Sequence, residues 1–342
     1  MARPTIKDLA IAADVSVATV NRVLAGAEGI RQATREKVQT AAEFIGFYGL
    51  GAIQSRNSAM RPTYRIGVLL LQPHRLWYQM VATALRQAAT DFTEAEIDLR
   101  IEHLEDLSPQ NTAARALALA QDCDAICITS AVHPLVMEAI ETIRARGVVV
   151  FALISQLSAT GQVPYIGVDN WRVGRTAAWA IANICKAPGP VGLLIGNHRF
   201  RNQDMNESGF RSYFREFAPN FTVLEPLPTF ESAAVGQEMT EKLLQDYPDL
   251  CGLYVAGGGI SGALAALRTN PASKGLTVIG YELMEPTRTA LLDGTLTMAI
   301  AHPLQRLAAE TVQGIIKALN GSKAAENLTT IVPFDIYTRE NI

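Results

Sequence analysis

The densest chemistry-bearing run in the chain is Gly257-Gly-Gly-Ile-Ser-Gly262, which fits G-x-G-x-x-G between a strand pattern and a helical one. Glu282 ends the next strand pattern 20 residues after Gly262, where a dinucleotide site needs an acid for the ribose hydroxyls. Together they could serve an NAD-type oxidoreductase. The run lies in the last quarter of the chain, however, not at the first strand–helix turn. A glycine turn that lets helix 260–268 pack close on a sheet accounts for it without a cofactor. G-x-S-x-G, H-E-x-x-H and P-loop patterns are absent from the sequence. His74, His103, His133, His198 and His302 are dispersed, and Cys123, Cys127, Cys185 and Cys251 form no C-x-x-C pair. Standard zinc spacing and a disulfide framework are thereby excluded. The expectation is a protein that is not an enzyme, with no catalytic set, metal or cofactor.

A second group of residues suits phosphate and base edges. Residues 1–65 hold nine Lys/Arg and five Asp/Glu, net +4, and the rest of the chain is then −7. A basic head on an acidic body suggests a nucleic-acid module joined to something else. Within it Thr5 precedes Asp8 by three residues, as in a capping box, and Ile6, Leu9, Ala10 and Ala13 keep helical spacing. Ser16 can cap a second helix from Val17 to Leu24, with Val20, Val23 and Leu24 inward. A third helix spans about 34–44 and stops at Gly46. A helix, a turn near residue 14 and a short second helix form a helix-turn-helix, whose second helix enters the major groove.

TIKDLAIAADVSVATVNRVLAG (residues 5–26), followed by Thr34-Arg-Glu-Lys-Val38 and Ile45-Gly-Phe47, resembles the DNA-binding head of the LacI family of bacterial repressors. The resemblance implies that Val17 and Ala18 open the recognition helix and that Arg22 reaches a base edge. It implies phosphate contacts for Thr5, Ser16, Thr19, Asn21 and Thr34, and Arg31 joins this set. Asn21 replaces the family's usual Ser. The hydroxyls of Thr5, Ser16 and Thr34 also read as helix caps. In this family a linker helix wedges a leucine into the minor groove. Here the leucine's place falls on Arg56, and Gly49 and Gly51 disfavour a helix. Ile53 as the wedge, Arg56 in a narrow minor groove, and a plain tether all remain open.

These groups must be positioned by a large folded chain. It has 342 residues, 49% hydrophobic and 18% charged, enough for two or three domains and a substantial core. No run of ~18 apolar residues suggests a membrane span. MARPTIKDLA lacks the apolar segment of a secretory signal, so a cytoplasmic location is expected. From Arg65 on, strand patterns (65–71, 97–104, 124–130, 148–154, 190–196, 221–226, 250–256, 276–282, 297–301) alternate with helical ones. Several strands are apolar on both faces, as parallel strands covered by helices must be. The expected fold class is an all-α helix-turn-helix head on an α/β body of two doubly wound parallel-sheet subdomains.

The body resembles the periplasmic sugar-binding-protein fold shared by LacI-family repressors. The matching stretches are Ile66-Gly-Val68, Tyr165-Ile-Gly-Val-Asp-Asn170 with Gly174, Gly209-Phe210, Val278-Ile-Gly-Tyr-Glu282 and Met298-Ala-Ile-Ala-His-Pro303. The resemblance implies a head at 1–48, a hinge linker at 49–64 and a body at 65–342. Lobe 1 would comprise about 65–162 and 297–322, and lobe 2 about 163–296 and 323–342, joined by three crossovers with ligand between them. On that fold the first loop, with His74, Arg75, Trp77 and Tyr78, offers aromatic stacking to a sugar ring. Glu282 stands for the family's Asp, His302 for the sugar binders' Gln, and Asn206 for a frequent Arg. Ser130 and Asp169 complete the candidate cleft, Asp169 equally as a cap of helix 171–186. Arg75 could restore the cation lost at 206. The resulting expectation is a homodimeric regulator, most simply a repressor. A sugar-like effector in the cleft would set its affinity for double-stranded operator DNA.

Overall fold

In the computed structural model, residues 3–27, 29–51, 53, 61–159, 161–321 and 329–342 are described. The chain forms two compact units, Met1–Tyr64 with Phe92–Ile97, and Arg65–Asp91 with Asp98–Ile342.

The head contains α1 (Ile6–Ala12), α2 (Val17–Ala25) and α3 (Gln32–Ile45). Thr5 and Asp8 close a reciprocal capping box at α1, and the Ser16 hydroxyl caps α2 by accepting from Thr19 N. Gly26 and Gly46 end α2 and α3 in the left-handed conformation that a side chain would resist. Leu9, Val20, Val23, Val38, Ala42 and Phe47 form the core. The buried Arg35 donates to Ala27 O (2.7 Å) and Ile30 O (3.3 Å), which fixes the loop between α2 and α3. Two readings change here. Thr34 lies inside α3, which begins at Gln32, so it is not a cap; Arg31 holds the cap position without a side-chain bond. Ile53 is fully buried in the head core, its N–H bonded to Gly49 O (3.1 Å), so it is not exposed for a groove. Arg56 lies outside the described residues.

The body alternates strands and helices. Its first half comprises β1 (Thr63–Leu71), α4 (Leu76–Asp91), β2 (Glu96–Leu104), α5 (Pro109–Leu119), β3 (Ala125–Ile128), α6 (Pro134–Ala145), β4 (Val149–Leu153), the short hairpin β5 (Ser158–Ala159) and β6 (Gly161–Gln162), and β7 (Tyr165–Gly167). There follow α7 (Asn170–Ile184), β8 (Pro190–Ile195), α8 (Arg201–Phe217), β9 (Thr222–Val223), β10 (Leu227–Pro228), α9 (Ala233–Asp246), β11 (Gly252–Val255), α10 (Ile260–Thr269), β12 (Thr277–Tyr281), α11 (Glu285–Asp293), β13 (Met298–Ala301), α12 (Leu304–Leu319), β14 (Thr329–Ile331) and β15 (Asp335–Tyr337).

Two sheets result. One runs β14-β7-β4-β3-β1-β2; the other runs β10-β8-β11-β12-β13-β15, with β9 beside β8. The pairs β1/β3, β3/β4, β4/β7 and β7/β14 are parallel, as are β8/β11, β11/β12 and β12/β13. Only β13/β15 among the described pairs of these two sheets is antiparallel. Residues of β3 and β12 are buried throughout, the pattern of parallel strands covered on both faces.

The chain passes between the two lobes three times, at points shifted from those the resemblance implies. β7 stays in the first sheet, β13 belongs to the second, and β14 returns to the first before β15 joins the second. The passages therefore fall near residues 168–169, 302–303 and 332–334. An apolar parallel strand carries no mark of which sheet it joins, so the pattern alone cannot place them.

Candidate ligand cleft and nucleic-acid interface

Open α/β sheets bind ligands beyond the carboxyl ends of their strands. Those ends converge here between the lobes. Arg75 lies in the loop after β1, and Trp77 and Tyr78 lie in the first turn of α4. Glu282 follows β12, His302 follows β13, and α8 contributes Asn202 and Gln203. Together with Glu231 they surround a cavity of about 50 Å3.

Trp77 is 6% exposed and meets Tyr78 edge-on (centroids 4.8 Å apart, 70°) and His302 at 5.5 Å. The Arg75 guanidinium lies over the Tyr78 ring at 5.3 Å, and burial pushes the Tyr78 phenol well above its ordinary pKa. Glu282 sits at φ 69, a left-handed position that a non-glycine residue adopts at a cost of about 1–3 kcal/mol. Its carboxylate meets His302 twice: Oε1 pairs with Nδ1 (2.6 Å) and Oε2 accepts from the His302 N–H (3.1 Å). The two contacts fix the orientation of the His302 ring. Among the described residues, three buried polar atoms of cavity-lining side chains lack a protein partner: Trp77 Nε1, His302 Nε2 and Asn202 Oδ1. Buried polar groups are normally hydrogen-bonded, so these atoms suit pairing with a ligand's donors and acceptors.

Arg75, Trp77, Tyr78, Glu282 and His302 thus line one cavity, and four other candidates do not. His74 is exposed and faces Glu105 (3.5 Å) outside the cavity. Ser130 donates to Ala131 O and lines a separate cavity of about 220 Å3. Asp169 caps α7, accepting from Arg172 N (3.1 Å), and faces an open groove with Trp171 and Trp179. Asn206 is fully buried, accepting from Tyr254 OH (2.9 Å) and donating to Asn202 O (3.0 Å) and Asn170 Oδ1 (3.3 Å). It ties α8 to the sheet and does not reach the cavity. Arg75 does not supply a spare cation either, because Glu231 engages it.

Asn202, Gln203 and Glu231 were not foreseen. α8 is a polar helix whose pattern does not single out its first turn, and Glu231 follows strands of only two residues each. The glycine run also finds its reason here. A Cβ on Gly258 would lie 2.1 Å from Glu231 Oε2 and 2.9 Å from an Arg75 nitrogen. The backbone is bare so that these side chains can cross it. A pyrophosphate at this turn would meet the Glu231 carboxylate, and like charges repel, so the dinucleotide alternative gains nothing from the geometry.

In the head, α2 presents Val17 (40% exposed), Ala18, Asn21 and Arg22 on its outer side. The Ser16 and Thr19 hydroxyls lie 2.9 Å apart at its N-terminus, the end that attracts phosphate. Thr5, half-buried Thr34 and exposed Arg31 stand at or near the starts of the other two helices. Val17 and Ala18 offer no hydrogen bond and can read only by apolar contact, as with a thymine methyl.

A helical head bearing a helix-turn-helix, followed by two parallel-sheet lobes closing on a polar cavity, defines a ligand-responsive DNA-binding regulator by class. Comparison with known proteins agrees. Residues 67–323 match the family described as "Periplasmic binding protein domain", and residues 5–49 match "Bacterial regulatory proteins, lacI family". Catabolite control protein A of Priestia megaterium is 24% identical over 330 residues, 92% of each chain. The D-apiose import binding protein of Paraburkholderia graminis is 22% identical over 226 residues, 66% of this chain and 72% of the other. Solved structures share the body's fold. GanP, a glucose-galactose binding protein from Geobacillus stearothermophilus, superposes with TM-score 0.74 at 15% identity, covering 82% of this chain and 99% of that one. A solute binding protein from Burkholderia graminis in complex with D-arabinose gives 0.74 at 17%, covering 81% and 96%. The chain belongs to the periplasmic binding protein domain family and carries a lacI-family DNA-binding head, the make-up of a LacI-type bacterial regulator. Among the described residues no helix is long and apolar enough to cross a membrane, and no cluster of His, Cys, Asp and Glu could hold a metal.

Proposed function

We propose that this regulator is a cytoplasmic homodimer whose affinity for a near-palindromic operator is set by a small neutral sugar in the cleft, and that it represses. Val17, Ala18 and Arg22 read base edges; Thr5, Ser16, Thr19, Asn21, Arg31 and Thr34 hold phosphates. Two heads on two half-sites require two chains. The observation that carries the ligand reading is the indole of Trp77 beside unpartnered Trp77 Nε1, Asn202 Oδ1 and His302 Nε2. An apolar face ringed by separate donors and acceptors suits a sugar, which has a C–H face and hydroxyl edges. Relatives named for D-apiose and for D-ribose and D-allose support the same class. Regulation is by population shift. The ligand favours one relation of the lobes, and that relation alters the paired heads.

The test is thermal unfolding of the full chain with D-apiose, D-ribose, D-allose and D-arabinose, beside the matching sugar acids. At a hundred times Kd a ligand stabilises the folded protein by about 2.7 kcal/mol, a shift of several degrees. At least one neutral aldose is expected to give it. A shift with sugar acids only, or with none of the set, contradicts the proposed class.

A further inference from the structure

The cleft contains one charged pair that joins the lobes directly. Arg75 comes from the loop after β1, in the first lobe, and Glu231 follows β10, in the second; guanidinium and carboxylate are in contact. The Arg75 side chain is 22% exposed and that of Glu231 only 6%. Several independent features aim Glu231 at this point. Phe230 and Glu231 are consecutive left-handed non-glycine residues, at φ 50 and 63. Such strain persists only where the surroundings enforce it. Gly196 and Gly258 leave space for the carboxylate: a Cβ on Gly196 would lie 1.6 Å from Oε1. Gln203 Nε2 donates to Oε1 (2.7 Å) while its own Oε1 accepts from the N–H groups of Gly196 (2.5 Å) and Asn197 (2.9 Å).

Glu231 also lines the 220 Å3 cavity beside Ser130 and Asn197, so its side chain borders both cavities. Both members of the pair also line the inner chamber of about 50 Å3. A ligand in this chamber meets the pair directly.

We propose that Arg75–Glu231 is a latch that closes the empty cleft, and that the ligand enters by displacing Arg75 and giving Glu231 hydroxyl donors in place of the guanidinium. This rests on the sugar reading of the site. It makes Glu231 a specificity-determining group: an occupant must present donors to two carboxylates, Glu231 and Glu282, both from the second lobe.

The test uses the full chain with Trp171 and Trp179 changed to Phe, which leaves Trp77 as the only tryptophan. Without sugar, acrylamide quenching of Trp77 is expected to be weak in this parent and several-fold stronger in Arg75→Ala and Glu231→Gln. Arg75→Lys, which keeps the charge, is expected to restore most of the shielding. Quenching equal to the parent in both latch variants overturns the proposal. With the aldose that gives the largest thermal shift, Arg75→Ala is expected to bind at least fivefold tighter, because no latch must be broken. Glu231→Gln is expected to bind at least tenfold more weakly. Weaker binding by Arg75→Ala makes Arg75 a ligand contact and also overturns the proposal. If no aldose shifts the parent, the sugar reading fails, and the sugar-free quenching still decides the latch.

Discussion

Replacing Glu282 by Ala is expected to cut the sugar-dependent thermal shift at least in half and to lower the stability of the sugar-free protein. The carboxylate is buried, held at a left-handed backbone position, and bonded to both the ring and the N–H of His302. Breaking a buried pair by removing one partner destabilises by about 3–5 kcal/mol, because the other group is left uncompensated. A charged group's hydrogen bond to a ligand is worth about 1.5–3 kcal/mol, so the sugar Kd should rise roughly 10- to 100-fold or more once His302 also loses its orientation. Glu282→Gln separates the two effects. It keeps shape and one acceptor oxygen, so it should regain much of the stability but only part of the affinity. Calorimetric titration beside thermal unfolding reads both. A sugar-induced shift of unchanged size in Glu282→Ala would remove Glu282 from the site.

The second large effect belongs to the head. Arg22→Ala is expected to weaken operator binding about 5- to 150-fold, the equivalent of about 1–3 kcal/mol for a lost base contact, and to relax the preference at one base-pair position. Arg22 lies on the exposed side of α2, outside the core that Val20 and Val23 build, so folding should be spared. Ser16→Ala and Thr19→Ala should instead weaken all duplexes alike, since their hydroxyls stand at the helix N-terminus near phosphate. Fluorescence anisotropy with an operator selected from a random pool, and with its single-base variants, distinguishes these patterns. A uniform loss for Arg22→Ala would place it on phosphate rather than on a base.

How far such residues are legible in the sequence depends on whether local pattern or tertiary packing decides their place. α2 is legible because Ser16 and Gly26 cap a short segment whose Val20 and Val23 share one face. Glu282 and His302 are legible because each follows an all-buried apolar strand, and strand ends are where such a sheet binds. Glu231 is not, because β9 and β10 have two residues each and generate no alternation. Asn206 reads as a site residue on a polar helix, yet packing against Tyr254 and Asn170 makes it structural. Ile53 errs the other way. Beside two glycines it looks free to leave the head, but the head core buries it. The glycine run shows the same limit, since Gly257–Gly259 fits a phosphate turn by spacing while side chains remote in sequence fill the space beside it.

The central claim is that occupancy of the cleft changes how tightly the head holds DNA. It is tested most directly by measuring the affinity of the full chain for its selected operator, by anisotropy at fixed salt, with and without a saturating aldose. The account predicts a change of about 5- to 150-fold, the usual span of allosteric coupling, and the same factor in sugar affinity when operator is saturating. Identical operator affinity with the cleft empty and full would contradict it.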